Sequence, residues 1–227
     1  REDGARAAYA SLTGETEWIN TTANIVIGCT SFQIATSYLA DRPEVRLYFL
    51  RVADGYEGGG TAAYDGESLQ KLWNGEIPSM HSVDGENTYS RADLTGILTT
   101  LMEMHEADNI LTLDFASAYS RAQDHSDHRH AARFATLASQ NYEAEHNIEG
   151  YVTYQTDDLP INLFDEGLRA QYFAAFEAYA AHDPAVWGAN PHVIGEIYFR
   201  WMQGEYRVSE IMDVWSLDFN RSSGWRT

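Results

Sequence analysis

Three of the eight histidines fall within six residues, in the run Asp124-His125-Ser126-Asp127-His128-Arg129-His130. Imidazoles this close suit two chemistries: ligation of zinc through a neutral ring nitrogen, and donation of a hydrogen bond to a developing oxyanion. Ser126 and Asp127 are good helix starters, so a helix opens there, with His128 in its first turn and His125 just before it. A carboxylate that accepts an imidazole's second N–H fixes its tautomer, and Asp127 is placed to do this for a neighbouring histidine. The helix N-terminus adds positive potential that favours an oxyanion. Spacing alone leaves a second reading open, a solvated histidine-rich turn, because His-x-x-His falls short of the three protein ligands of a zinc enzyme.

The flanking elements say where these groups sit. The apolar run Asn109–Asp114 predicts a short buried strand feeding the histidine loop, followed by a helix from about 127 to 141 and a strand over 150–155. Upstream, alternation over residues 17–38 predicts a β-hairpin turning near Gly28–Ser31, and residues 45–52 a further strand. Gly58-Gly59-Gly60 reads as a flexible loop. Helices are predicted over 2–12, 67–73, 165–181 and 191–203; one more opens at Ser90-Arg91-Ala92-Asp93, a capping box with Asp in the usual Glu position. Strand–helix alternation implies an α/β fold: a mainly parallel, Rossmann-like sheet flanked by helices, with an added β-hairpin. Ligands of such sheets bind at the carboxyl ends of the strands. Asp54 and Asp114 each follow a strand and are candidate substrate-binding residues; each also suits a turn. The aromatic set Tyr172, Phe173, Phe176, Tyr179 has the helical spacing of a core face, and Trp187, Trp201 and Trp215 read as core or groove residues.

The chain has 227 residues, 44% of them hydrophobic, which suits one domain over 1–227. Its 15 basic and 34 acidic residues leave a net charge of −19, which repels phosphate backbones and anionic lipid, so nucleic acid is a poor partner. No run reaches the ~20 apolar residues of a membrane span. A charge this negative suits a secreted or extracytoplasmic protein. The single cysteine, Cys29, forms no intrachain disulfide and reads as a small buried apolar residue.

The run LTLDFASAYSRAQDHSDHRHAARFA resembles the second motif of the PIG-L (LmbE-like) family of zinc-dependent deacetylases, His-x-Asp-His after a strand with a short acidic ending. REDGARAAYASLTG, VRLYFLRVADG, ESLQKLW, YSRADLTGILTTLM and HDPAVW resemble further segments of actinobacterial and fungal members in the same order, so the likeness covers residues 1 to about 205. The resemblance implies that His128 ligates zinc, that His125 stabilises the tetrahedral oxyanion, and that Asp127 orients a histidine. It also implies that Arg1 helps hold the substrate, although Gly4 stands where members commonly carry Glu, and Gln123 stands where some carry a mobile Tyr.

The activity implied is hydrolysis of the N-acetyl group of an N-acetylglucosamine-type sugar or glycoconjugate. The family's first motif, His-Pro-Asp-Asp-Glu, supplies two further ligands and the general base, and it is not found in this sequence. The resemblance therefore implies that the first strand and metal motif lie outside residues 1–227, with a separate N-terminal peptide as the partner that completes the site. A non-catalytic carbohydrate-binding or assembly protein on the same fold is the alternative.

Overall fold

The computed structural model describes residues 1–116, 124–187 and 196–208. Gln123, Trp215, the side chain of Trp187 and the start of the helix predicted over 191–203 lie outside them.

The fold is mixed α/β, built from small sheets and helices. Strands β1 (Trp18–Ile27), β2 (Thr30–Leu39) and β3 (Arg46–Phe49) form an antiparallel meander. The β1–β2 turn is Gly28-Cys29, where the alternation placed it. Cys29 stands exposed at that turn and not in the core: the turn needs the two residues between paired Ile27 and Thr30, and they project to solvent. Helix α1 (Glu2–Thr13) precedes the meander; α2 (Leu69–Asn74), the hairpin β4 (Ser79–His81) and β5 (Thr88–Ser90), and α3 (Arg91–Met104) follow it. The capping box forms as read: Ser90 Oγ accepts the Asp93 N–H, and Asp93 accepts the Ser90 N–H at 2.9 Å. The core lies between the meander, α2, α3 and the later helix α4 (Ser126–Asn141), and includes Ile25, Phe32, Ile34, Tyr89, Ile97 and Phe134.

The parallel pairing is found in β6 (Asn109–Leu113) and β7 (Asn147–Tyr151), joined through α4 (Ser126–Asn141). The N-terminal strands pair antiparallel because their connections are too short for the crossover that parallel strands need. Two more helices matter to the site, α5 (Glu166–Ala180) and α7 (Glu196–Trp201), with the short α6 (Pro184–Trp187) between them. Helix α1 lies against α5 at Gly4, where a Cβ would stand 2.8 Å from the Tyr179 carbonyl oxygen. The absence of a side chain at position 4 is thus a packing requirement.

Arg51 fastens α1 to the β4–β5 turn. Its Nε donates to Glu2 Oε1 and its Nη1 to Asp84 Oδ2, each at 2.6 Å. Hydrogen bonds from Ser82 and Arg51 hold the Asp84 carboxyl down at about 2, and Arg51 holds Glu2 below its ordinary value. Folded values below the unfolded ones mean that this fastening stabilises the protein above about pH 4. Its contribution should disappear as pH falls from about 4 toward 2, and urea unfolding across that range should show it. Arg51→Met should flatten the acid limb; an unchanged limb would show that the clamp adds nothing to stability.

Candidate metal and acyl-transfer site

The site is built at the first turn of α4. His125 is its N-cap residue: its Nδ1 accepts the Asp127 N–H at 3.2 Å. A backbone N–H can only donate, so His125 Nδ1 carries the lone pair, and in the neutral ring the proton sits on Nε2. That Nε2 lies 3.6 Å from Asp54 Oδ1. His128, one turn on, has the opposite arrangement. Thr153 Oγ1 donates to Asp124 Oδ1 at 2.6 Å, so the 2.8 Å contact between His128 Nδ1 and the same oxygen is donated by the imidazole. His128 Nε2 is left with a lone pair and makes no hydrogen bond among the described residues. The two rings lie 5.4 Å apart, centroid to centroid, tilted by 48°.

Asp124, which sequence reasoning passed over, does the orienting that it assigned to Asp127. Its Oδ1 also accepts the His125 N–H at 2.8 Å. Burial alone would raise its pKa, but the bonds from His128 and Thr153 outweigh burial and bring it below its ordinary value. The signal was an acid four residues before a histidine at a helix start. Thr153, just past β7, had none, because its contact spans 29 residues.

Asp127 turns to the Asp54–Gly60 loop instead. Its Oδ2 accepts the Gly55 N–H at 2.6 Å, and its carboxylate is 4.0 Å from His125 Nδ1. A Cβ at position 55 would meet Asp127 Oδ1 at 2.7 Å, so glycine is what lets this loop close on α4. The glycine-rich loop is therefore packed and bonded, with Ser68 Oγ donating to the Gly58 carbonyl at 2.6 Å. Burial raises the pKa of Asp127, and its Oδ1 is buried with no hydrogen-bond partner.

Asp54 serves both readings at once: its Oδ1 caps its own turn through the Tyr56 N–H at 2.9 Å, and its carboxylate faces His125. Arg1 joins them, with Nη1 3.5 Å from Asp54 Oδ2 and Nε donating to Asp183 Oδ2 at 3.0 Å. Asp183 is buried and also accepts the Tyr179 hydroxyl at 2.6 Å and the Ala185 N–H at 3.0 Å. Burial pushes Asp183 up, but these donors and Arg1 hold it below its ordinary value.

Two sequence candidates belong to the framework. Asp114 is 6% exposed, pairs with Arg129 at 3.2 Å and accepts the Ala116 N–H at 2.9 Å. The third histidine, His130, is buried and donates from Nδ1 to the Ser126 carbonyl at 2.7 Å. Burial, with Arg133 and Arg129 nearby, lowers its pKa and keeps it uncharged at neutral pH.

Asp54, His125 and Asp127 each offer a donor atom, and these lie within 4.8 Å of one another. A tetrahedral zinc with ligands at about 2.0–2.1 Å spans about 3.3 Å between donors, so such a set would have to draw together to hold one. The buried, unpaired Asp127 Oδ1 is the kind of atom that a cation satisfies. His125 fits less well as a ligand, because coordination through Nε2 would move its proton to Nδ1 and break the helix cap; His128 carries no such conflict. No family model, no curated protein and no solved structure matches the chain.

The two framework roles separate experimentally. If His128 ligates a metal ion, Asp124→Ala should weaken that binding by ~10–100-fold in a chelator competition, because His128 loses its orienting partner. Asp114→Ala should instead cost ~3–5 kcal/mol of stability in chemical denaturation, because Arg129 is left buried without its counter-charge. Unchanged zinc affinity in the first variant, or unchanged stability in the second, would reverse these assignments.

Proposed function

We propose that the protein is a zinc-dependent N-deacetylase of the PIG-L type, hydrolysing the acetamide of an N-acetylglucosamine-type sugar or conjugate to an amine and acetate. The observation that carries this reading is the division of protons between the two imidazoles: His128 presents a lone pair and His125 an N–H, side by side. Those are the forms a ligand and an oxyanion donor require, and they match the roles that the sequence resemblance gives each residue. The parallel β6–α4–β7 unit supports placement in a Rossmann-like sheet, because Asp124 and Thr153 both follow the carboxyl ends of its strands.

Zinc held by His128, with carboxylates completing its shell, would polarise the acetyl carbonyl and lower the pKa of a bound water to ~7. Among the described residues, Asp54 and Asp127 stand at metal-site spacing with His125; in the family, the remaining ligands and the base come from the His-Pro-Asp-Asp-Glu motif. His125 Nε2–H donates to the oxygen that gains charge. The Asp127 N–H keeps that proton on Nε2, so the donor is preorganised. Arg1, held by Asp183, and Asp54 offer a donor and an acceptor to the sugar hydroxyls.

Zinc content and acetate release from N-acetylglucosamine derivatives, measured on the chain alone and with a peptide carrying the first motif, test the proposal. His128→Ala should lose zinc and turnover together. His125→Ala should keep zinc and lose turnover by ~10²–10³-fold, the usual cost of one oxyanion donor. Zinc lost from the His125 variant and kept by the His128 variant would make Asp54, His125 and Asp127 the metal site and contradict the assigned roles. Sugar binding that is independent of zinc, without turnover under any condition, would favour the non-catalytic alternative.

A further inference from the structure

Beside His128 stands an aromatic stack that the proposed chemistry leaves unused. Tyr154 opens the short 3-10 helix Tyr154–Asp158, and its ring lies edge-to-face with the His128 imidazole at 4.8 Å between centroids. Trp201, at the end of α7, stacks on Tyr154 at 4.7 Å and 23°. Its Nε1–H donates to the Tyr154 carbonyl at 3.0 Å, so the pair is tied by a hydrogen bond as well as by the stack. The brace continues outward: Tyr198 stands edge-on to Trp201 at 5.0 Å, and Phe176 of α5 stacks on Tyr198 at 5.5 Å.

Against that brace, Tyr154 remains 41% exposed, and its hydroxyl makes no hydrogen bond among the described residues. A large, rigid, half-open ring next to ionisable groups has an apolar body and a polar rim. A pyranose has the complementary form: an apolar C–H face and hydroxyls around its edge. The acceptors and donors for those hydroxyls are at hand, since Arg1 and Asp54 are both substantially exposed. A net charge of −19 disfavours an anionic ring ligand such as a nucleotide.

We infer that Tyr154, braced by Trp201, is the specificity-determining platform on which the pyranose ring of the N-acetylated substrate stacks. The inference rests on the deacetylase reading for its substrate class but not on the metal. Its role is to hold the ring, which fixes where the acetamide falls relative to His125 and His128.

The test uses the full chain and N-acetylglucosamine as the probe, followed by saturation-transfer and titration NMR. Wild type should transfer saturation to the ring C–H protons as well as to the acetyl methyl, with intermolecular NOEs from the Tyr154 ring. Tyr154→Phe keeps the face and drops the hydroxyl, so its affinity should stay within about twofold. Tyr154→Leu keeps apolar bulk without a flat face, and its affinity should fall roughly tenfold. The wild-type NOEs decide the matter even if the leucine variant does not fold. Zinc measured on the same samples separates the two claims: ring contacts that persist in zinc-free His128→Ala support the platform whatever becomes of the deacetylase reading. Absence of ring transfer from wild type, NOEs that miss Tyr154, or a folded leucine variant that binds as well as wild type overturns the inference.

Discussion

One carboxylate oxygen, Asp124 Oδ1, accepts three hydrogen bonds: from the His125 backbone, the His128 ring and the Thr153 hydroxyl. Asp124 stands in the connection after β6, the histidines open α4, and Thr153 follows β7, so this oxygen ties the ends of both parallel strands to the helix between them. Buried acceptors with several charge-assisted bonds are strong and directional. The rotation of His128, and with it the direction of its free lone pair, depends on this tie. His125 depends on it less directly, through the start of the helix that it caps.

A second constraint holds the opposite wall. The Asp54–Gly60 loop reaches α4 only because Gly55 has no side chain, and Asp127 then binds the Gly55 N–H. Behind the loop, Ser126 Oγ donates to Gln70 Oε1 at 2.5 Å, linking α4 to α2. Arg1 arrives from α1, which Arg51 and the Gly4–Tyr179 contact hold in place. Four parts of the chain that are distant in sequence thus meet at one cluster of titratable groups. The buried Asp114–Arg129 pair joins the end of β6 to the first turn of α4.

Much of the framework was legible in the sequence because its signals are local. The capping box at Ser90, the Gly28-Cys29 turn and the start of α4 each depend on residues a few positions apart. The β4–β5 hairpin was not legible: each strand spans three residues, too few for alternation to register, and only Met80 and Tyr89 face inward. Within the site, the positions of His125 and His128 followed from helix-starting residues, but the choice between Asp124 and Asp127 as orienting acid did not. That choice depends on which carboxylate the Gly55 loop captures, a contact spanning 72 residues. The pairing of Asp114 was hidden for a similar reason, since Arg129 lies across the histidine loop and one turn into α4.

Two adjacent imidazoles hold their protons on opposite nitrogens, the forms that the proposed ligand role of His128 and donor role of His125 require. Anomalous diffraction at the zinc edge from crystals of the zinc-loaded chain tests those roles most directly. The account predicts zinc at about 2.0–2.1 Å from His128 Nε2, with His125 still capping α4 through Nδ1 and its Nε2 outside the coordination shell. Zinc on His125 Nε2 with the helix cap broken, or zinc bound elsewhere while His128 keeps a free lone pair, would contradict it.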